Sequence, residues 1–295
     1  MLINRRQALL AGGLATAAAA STSLHAEDAP SLPGKTPHTK FAVNVEMWFN
    51  KEKDFLERVR KSAAMGFPAI EFWDWKAKKN ILPQLADLAG ELKIDIAQFT
   101  AWGFFPGMNT PKNKDKFVKA IEEACGIAKQ LRCPKMTVVG GQDIRDVSQA
   151  DMHRAITDAL KAAAPIAEAH QVMMILEPMN IRVDHKGHCL YGSEAPVRIC
   201  REVNSPMVKL NWDLYHMHIT EGDLCRRLKE GFDQVGYLQV ADNPGRNEPG
   251  TGEIFYPRVL KEAWDLGYRG YVGLECNPIE GEEIAAKRVA AADWK

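Results

Sequence analysis

The hydrophobic and polar positions from Phe41 onward follow two alternating patterns. Short, almost continuously apolar runs are separated by longer segments in which apolar residues recur every three or four positions. The first pattern is typical of parallel strands buried on both faces, and the second is typical of amphipathic helices. We predict a strand at each of the apolar runs, which are Phe41–Met47, Ala69–Trp73, Ile94–Phe99, Met136–Val139, Val172–Leu176, Val208–Trp212, Gly236–Val240 and Tyr271–Leu274.

Helices are predicted between these strands, among them Asp54–Met65, Lys112–Leu131, Ala150–His170, Glu194–Val203 and Tyr256–Leu266. Eight strand–helix units in about 250 residues predict an α/β protein with a closed (β/α)8 TIM barrel. A doubly wound sheet is the alternative, but the eight-fold count and the lack of a Gly-x-Gly-x-x-Gly segment after the first strand disfavour it. No Pro/Ser-rich linker interrupts residues 41–295, which we therefore interpret as a single barrel domain.

The amino-terminal segment has a different composition from the barrel. Arg5 and Arg6 precede an uncharged stretch rich in glycine and alanine that runs to Ala20. This stretch is too short to span a bilayer, and the arginine pair resembles a twin-arginine (Tat) export signal. We therefore predict an export signal over residues 1–26, with cleavage after Ala20 or Ala26; a basic amino terminus without function is the alternative.

Residues 27–40 contain several prolines and are predicted to be a linker. The expected location is the periplasm, which the protein would reach already folded, or the cytoplasm if the signal does not function. After cleavage of the signal we expect no stable membrane insertion.

Composition narrows the classes of partner. The chain has 295 residues, of which 46% are hydrophobic and 26% charged, as in ordinary globular proteins. Its 38 basic and 38 acidic residues cancel, so we expect no binding to nucleic acid or to an anionic membrane. Six cysteines without a Cys-x-x-Cys pair disfavour a disulfide scaffold and a structural zinc site. A small-molecule partner is expected, and a homo-oligomer is compatible with this composition.

Oxygen-bearing side chains follow the last four predicted strands. Glu177, Asp213, Gln239 and Glu275 are separated by 36, 26 and 36 residues, each about one strand–helix unit. Barrel strands all end at the same mouth, so we expect the four side chains to converge there. An isolated residue of this kind is more often a solvated loop residue or a helix cap, and Gln239 could simply bond the backbone. Converging carboxylates repel one another, and a divalent cation with oxygen ligands, such as Mg²⁺ or Mn²⁺, would relieve that repulsion.

Four segments, ILEPMN, NWDLYHMH, LQVADNPGRNEPGTGEI and GLECNP, resemble the hydroxypyruvate isomerase family. This family belongs to the xylose isomerase-like barrels, which also include ketose 3-epimerases and endonuclease IV. The resemblance covers nearly all of residues 41–295. It implies a divalent metal held by Glu177, Asp213, Gln239 and Glu275. Gln239 stands where the related epimerases carry histidine, which favours the isomerase branch.

The resemblance also implies roles in catalysis and substrate binding. Glu177 and Glu275 are expected to be the acid/base pair, and Arg246 and His216 to contact the substrate. Glu71, at the end of the second predicted strand, is a further candidate substrate contact. The expected activity is a metal-dependent interconversion of hydroxypyruvate and tartronate semialdehyde, or of a similar small 2-oxo acid or ketose, by proton transfer through an enediolate.

Two other functions remain open at this point. A ketose 3-epimerase would use the same metal and the same glutamate pair, and an exported sugar-binding protein could retain a degenerate barrel. An endonuclease IV-like enzyme is disfavoured, because it needs three zinc ions and many histidines. Lysine and arginine are not concentrated near the predicted mouth, so a phosphorylated substrate is not favoured.

Overall fold

The computed structural model describes residues 32–294 and contains a closed barrel of eight parallel strands. Each strand pairs with the next one in the chain, and β1 pairs with β8. The predicted (β/α)8 fold is therefore confirmed. The strands are β1 Lys40–Asn44, β2 Ala69–Phe72, β3 Asp95–Trp102, β4 Lys135–Val139, β5 Met173–Glu177, β6 Val208–Asp213, β7 Val235–Val240 and β8 Tyr271–Leu274.

Helices surround the barrel, and the connection between β6 and β7 carries two of them. Within residues 32–294 this makes nine α-helices, one more than an ideal barrel has. They are α1 Phe55–Ala64, α2 Leu82–Leu92, α3 Lys114–Leu131, α4 Gln149–His170, α5 Glu194–Val203, α6 Leu214–Thr220, α7 Leu224–Gly231, α8 Tyr256–Asp265 and α9 Glu282–Ala291. None of the helices in this part of the chain is long and apolar enough to cross a membrane.

Several helix ends follow from short polar residues in the sequence. The Asp54 carboxylate accepts the backbone N–H of Leu56 at 2.9 Å and so caps the start of α1. The Ser148 hydroxyl caps α4 in the same way, accepting the N–H of Asp151 at 3.1 Å. Both caps begin helices at the end of loops that lie at the carboxyl end of the barrel.

The barrel interior contains a layer of buried polar side chains below its carboxyl end. At its centre is Glu71, which accepts hydrogen bonds from Tyr237 Oη at 2.8 Å, Gln239 Nε2 at 2.9 Å and Asn44 Nδ2 at 3.2 Å. A side chain at Gly273 would place its Cβ 2.3 Å from Glu71 Oε2, so only glycine leaves room for this carboxyl group. The apolar core instead lies between the strands and the surrounding helices.

The two ends of the described chain meet at the amino-terminal end of the barrel. Asp293, just after α9, accepts hydrogen bonds from the backbone N–H groups of His38 and Thr39, both at 3.0 Å. The His38 ring stacks on Trp294 with 4.2 Å between ring centroids. The last residues of the predicted linker are thus bonded to the barrel, whereas the predicted export signal over residues 1–26 lies outside the described residues.

Candidate active site

Three of the four predicted metal ligands meet at the carboxyl end of the barrel. Glu177 and Asp213 are the last residues of β5 and β6, and Glu275 directly follows β8. One ligand atom from each of these carboxylates, together with one from His216, lies within 4.8 Å of the others. All four residues are buried. The register of the strands, rather than proximity in the chain, brings the acidic groups together.

Asp213 uses its two oxygens differently. Oδ1 caps α6 by accepting the backbone N–H groups of Tyr215 at 2.8 Å and His216 at 3.3 Å. Oδ2 is buried and has no hydrogen-bond partner among the described residues. A buried carboxylate oxygen without a donor is costly unless a cation contacts it. The helix cap therefore fixes the orientation of Asp213 and leaves Oδ2 as the ligand atom.

His216 is held in one tautomer by Asn180. The Asn180 amide oxygen accepts the backbone N–H groups of Val183 at 3.0 Å and Asp184 at 3.1 Å, which identifies its other terminal atom as the NH₂ group. That NH₂ group lies 2.7 Å from His216 Nδ1, so Nδ1 accepts and Nε2 carries the hydrogen. Burial, followed by the charge of Arg246, lowers the pKa of His216 well below its usual range. His216 is therefore a neutral donor at Nε2, 3.6 Å from Asp213 Oδ2.

Gln239 and Glu71 face the polar layer inside the barrel. Gln239 Oε1 accepts a hydrogen bond from Asn211 Nδ2 at 2.5 Å, while Nε2 donates to Glu71. Both ends of the Gln239 amide are thus bonded within the barrel, and its role as fourth ligand stays a prediction. Glu71 is fully buried and surrounded by donors. Burial, and next the charge of Glu275, raises the pKa of Glu71 to about 7.

Arg246 and Trp73 hold the carboxylate of Glu275 between them. Arg246 Nη2 donates to Glu275 Oε2 at 2.8 Å, and Trp73 Nε1 donates to Oε1 at 2.8 Å. Glu177, in contrast, has no hydrogen-bonded partner for its side chain in the described part of the chain. The role of Trp73 in orienting Glu275 could not be predicted from the sequence, because nothing in the local sequence indicates where its indole N–H points.

The electrostatics of the cluster fit a divalent cation. Burial raises the pKa of Glu177 well above its usual range, and the Glu275 and Asp213 carboxylates raise it further. Burial also raises the pKa of Asp213 to about 7, although Arg246 opposes this shift. The Arg246 guanidinium can balance one of the three carboxylates. A divalent cation bound by oxygen ligands would balance the charges of the other two carboxylates. It would also contact Asp213 Oδ2, which has no hydrogen-bond partner among the described residues.

The loop that carries Arg246 is built around a buried carboxylate that sequence reasoning missed. Asp242 Oδ2 accepts the backbone N–H groups of Gly250 at 2.8 Å and Thr251 at 3.1 Å, and Oδ1 accepts that of Ile254 at 3.0 Å. The loop holds Arg246 at a φ of 55°, which is unusual for a residue other than glycine. An aspartate followed by Asn-Pro-Gly was the available signal, since such residues organise turns.

A second buried acid, also missed, anchors the same loop to α9. Glu248 is fully buried and accepts a hydrogen bond from Arg288 Nη1 at 2.7 Å. Its other oxygen accepts the backbone N–H of Ile279 at 3.0 Å. Both partners follow β8 in the chain, and no local pattern around Glu248 indicates this pairing.

Glu177 and Glu275 lie at one side of a cavity of about 700 Å³. Glu177, Glu275, Arg246 and His185 line it near the cluster. Much of the remaining wall is aromatic and comprises Trp73, Trp75, Trp102, Phe104 and Phe105. Of the two histidines in the loop after β5, His185 lines the cavity and stacks on Phe104, whereas His188 is fully buried.

Comparison with known proteins agrees with this architecture. A family model described as xylose isomerase-like TIM barrel matches residues 59–293. Hydroxypyruvate isomerase of Escherichia coli (strain K12) is 29% identical over 248 residues, which cover 81% of this chain and 93% of the relative. A 2-oxo-tetronate isomerase of Cupriavidus necator is 30% identical over 254 residues, covering 82% and 94%.

Among solved structures, one titled AP endonuclease, family 2, from Brucella melitensis superposes with a TM-score of 0.77 and 26% identity. The match covers 84% of this chain and 96% of that one. The two curated relatives confirm the prediction of an isomerase enzyme acting on a small substrate. The barrel, the acidic cluster at its mouth and the family match lead to one conclusion: the chain belongs to the xylose isomerase-like TIM barrel family.

Proposed function

We propose that this protein is a divalent-metal-dependent isomerase that interconverts hydroxypyruvate and tartronate semialdehyde. The observation that carries the proposal is the cluster of Glu177, Asp213 and Glu275 around the unpartnered Asp213 Oδ2, beside an aromatic cavity. The relationship to proteins named hydroxypyruvate isomerase supports the choice of substrate.

Glu177, Asp213 and Glu275 would hold the cation, with Gln239 as the predicted fourth ligand if its amide turns away from Asn211. Mg²⁺ or Mn²⁺ suits such oxygen donors. When bound, the cation would act as a Lewis acid that stabilises the oxygens of an enediolate.

Glu177 is the better candidate to remove the substrate C–H proton. Its side chain lines the cavity and is free of hydrogen bonds from the described residues, as expected of a group that must approach a substrate carbon. Glu275 would return the proton on the other carbon, since Trp73 and Arg246 hold it in a fixed orientation. Both glutamates line the same cavity, so a small substrate can lie between them.

The neighbouring residues would bind and shield the substrate. His216 can donate a hydrogen bond from Nε2 to a substrate hydroxyl, because Asn180 fixes its tautomer. Arg246 can donate to a carboxylate or oxygen from the N–H groups that Glu275 does not use. The aromatic wall excludes water, which strengthens these interactions while the proton moves.

Substitution of each glutamate tests the mechanism. Glu177→Gln and Glu275→Gln should each lower kcat with hydroxypyruvate by about 10²–10⁴-fold, because each removes a proton carrier. Arg246→Ala should mainly raise KM, since Arg246 would contact ground state and transition state alike. Glu122→Gln, on the exposed face of α3, is the matched control and should behave like the wild type.

Metal content is measured for every variant, because loss of the ion would mimic loss of a base. If both glutamine variants keep near-full turnover, the two-glutamate mechanism is wrong. If the wild type does not isomerise hydroxypyruvate but epimerises a free ketose, the catalytic role of the glutamate pair is retained and the substrate assignment is wrong.

A further inference from the structure

The cavity is much larger than a three-carbon oxo acid requires. Its volume of about 700 Å³ lies within the range of about 300–1,000 Å³ typical of sites for drug-sized ligands. A substrate confined to the acidic cluster would leave most of the aromatic wall uncovered.

Two lysines line this cavity away from the acidic cluster. Lys76 follows β2, and Lys116 lies in the first turn of α3, after β3. The catalytic carboxylates end β5, β6 and β8, so the lysines belong to a different sector of the mouth. Within residues 32–294, neither ammonium group lies within 4.0 Å of a carboxylate, although fifteen other lysine and arginine side chains in that part do. Sequence analysis predicted that lysine and arginine are not concentrated near the mouth, and the basic side chains that line the cavity are Lys76, Lys116 and Arg246.

The aromatic wall connects the two sectors. Trp73 donates to Glu275 and is 38% exposed, while Phe105 is 80% exposed. Trp102 is buried in the wall, and its Nε1 has no hydrogen-bond partner among the described residues. Aromatic faces with a few polar groups suit the alternating C–H and hydroxyl surface of an extended sugar chain.

We propose that the site also isomerises a six-carbon-sized sugar with its reacting carbonyl and hydroxyl at the carboxylates and an anionic group at its far end, bound by Lys76 and Lys116. The inference rests on the proposed isomerase function and extends it. A carboxylate and a phosphate are both anionic groups that two ammonium groups bind. Hexuronic acids and hexose 6-phosphates are therefore the two sources to compare.

The experiment compares kcat/KM for hydroxypyruvate, a panel of hexuronic acids, the matching hexose 6-phosphates and the uncharged hexoses. The wild type should prefer an anionic six-carbon substrate over the matching hexose by at least about ten-fold, the effect of 1.4 kcal/mol. The Lys76→Ala/Lys116→Ala double variant should lose that preference. The matched control is Lys79→Ala/Lys112→Ala, which removes two lysines that are near Lys76 and Lys116 in the chain but do not line the cavity. It should retain the preference.

An unchanged preference in the Lys76/Lys116 variant overturns the inference, as does turnover of hydroxypyruvate without turnover of any six-carbon anion. The better of the two anions identifies the end group. Calorimetry with the same compounds measures binding without turnover. It therefore distinguishes failure of the proposed isomerase function from failure of the inference about the anionic sugar. If no compound is isomerised, the proposed function falls. The inference then stands only if the wild type binds an anionic six-carbon sugar at least ten-fold more tightly than the double variant does.

Discussion

At the scale of single residues, burial decides what each titratable group can do. His188 is fully buried, and its Nδ1 donates to the carbonyl of Leu190 at 2.7 Å. The backbone N–H of Gly141 lies 3.4 Å from Nε2. The ring is thus bonded in its neutral form, and burial lowers the pKa of His188 to about 4. His188 therefore supports the loop after β5 without carrying charge.

His188 should make the protein acid-sensitive. The unfolded chain binds a proton at His188 below a pH of about 6.5, whereas the folded protein does so only near pH 4. The contribution of neutral His188 to the free energy of unfolding is therefore complete above pH 6.5 and is lost as the pH falls towards 4. Lowering the pH from 7.5 to 4.5 should reduce the free energy of unfolding by about 2–3 kcal/mol through this residue.

Denaturant titration at both pH values measures this loss. His188→Asn keeps an N–H donor near Leu190 and should reduce the pH dependence by that amount. His170→Gln, on an exposed residue at the end of α4, should leave the wild-type dependence unchanged. An equal acid-induced loss in wild type and His188→Asn would contradict the assignment.

The cysteines should be largely unreactive in the folded protein. All six are free thiols, five are buried, and Cys225 alone is partly exposed. Burial raises the pKa of Cys133, Cys189 and Cys200 to about 12 and that of Cys125 to about 11, so little thiolate forms at neutral pH. A colorimetric thiol assay should detect at most one rapidly reacting group in native protein and six after unfolding. Rapid reaction of two or more native thiols would contradict this prediction.

At the scale of elements, the loop between β7 and α8 determines where Arg246 lies. The loop has little regular structure, and Asp242 supplies acceptors for its backbone N–H groups in place of a helix or strand. Glu248 ties the same loop to α9 through Arg288. Substrate binding should therefore depend on residues that do not touch the substrate.

Asp242→Asn tests this dependence. The amide cannot accept at both positions, so buried N–H groups lose their acceptor at about 1–3 kcal/mol each. We expect a lower melting temperature and a higher KM, as in Arg246→Ala. Glu253→Gln, a change in an exposed carboxylate of the same loop that accepts from Asn243 at 3.2 Å, should leave KM unchanged. A wild-type KM in Asp242→Asn would show that Arg246 is positioned by other contacts.

The elements themselves were predictable to different degrees. Strand β8 was predicted with its observed ends, because its apolar run is bounded by Gly270 and Glu275. The first strand was predicted to reach Met47 but ends at Asn44, where the backbone N–H groups of Met47 and Trp48 fold back onto the Asn44 carbonyl. Hydrophobicity alone does not distinguish a buried strand from a buried turn.

The candidate site was predictable where strand ends define it. Glu177, Asp213 and Glu275 follow apolar runs, so their convergence follows from the barrel. The hydrogen bonds that orient them, from Trp73 and Arg246, join residues far apart in the chain and leave no periodic pattern. Sequence spacing predicted convergence for Gln239 too, but not that Asn211 and Glu71 engage its amide.

At the scale of the whole molecule, we propose export from the cell on the basis of Arg5, Arg6 and the apolar stretch that follows them. Expression of the full-length gene should place the protein in the periplasmic fraction. An Arg5→Lys/Arg6→Lys variant should remain in the cytoplasm, because a twin-arginine signal depends on the arginine pair. The matched control is Lys35→Arg, outside the predicted signal. Identical fractionation of wild type and the double variant, both in the cytoplasm, would show that the signal interpretation is wrong.

The Asp293 contacts with His38 and Thr39 have a consequence for synthesis at the ribosome. The partner of β1 is β8, the last strand of the barrel, and the carboxylate that secures the chain before β1 lies beyond α9. The emerging chain can form individual strand–helix units, but the ring cannot close until β8 has left the ribosome. The barrel is therefore closed by its last-synthesised strand, and a product that stops before Asp293 would leave the first strand unsecured.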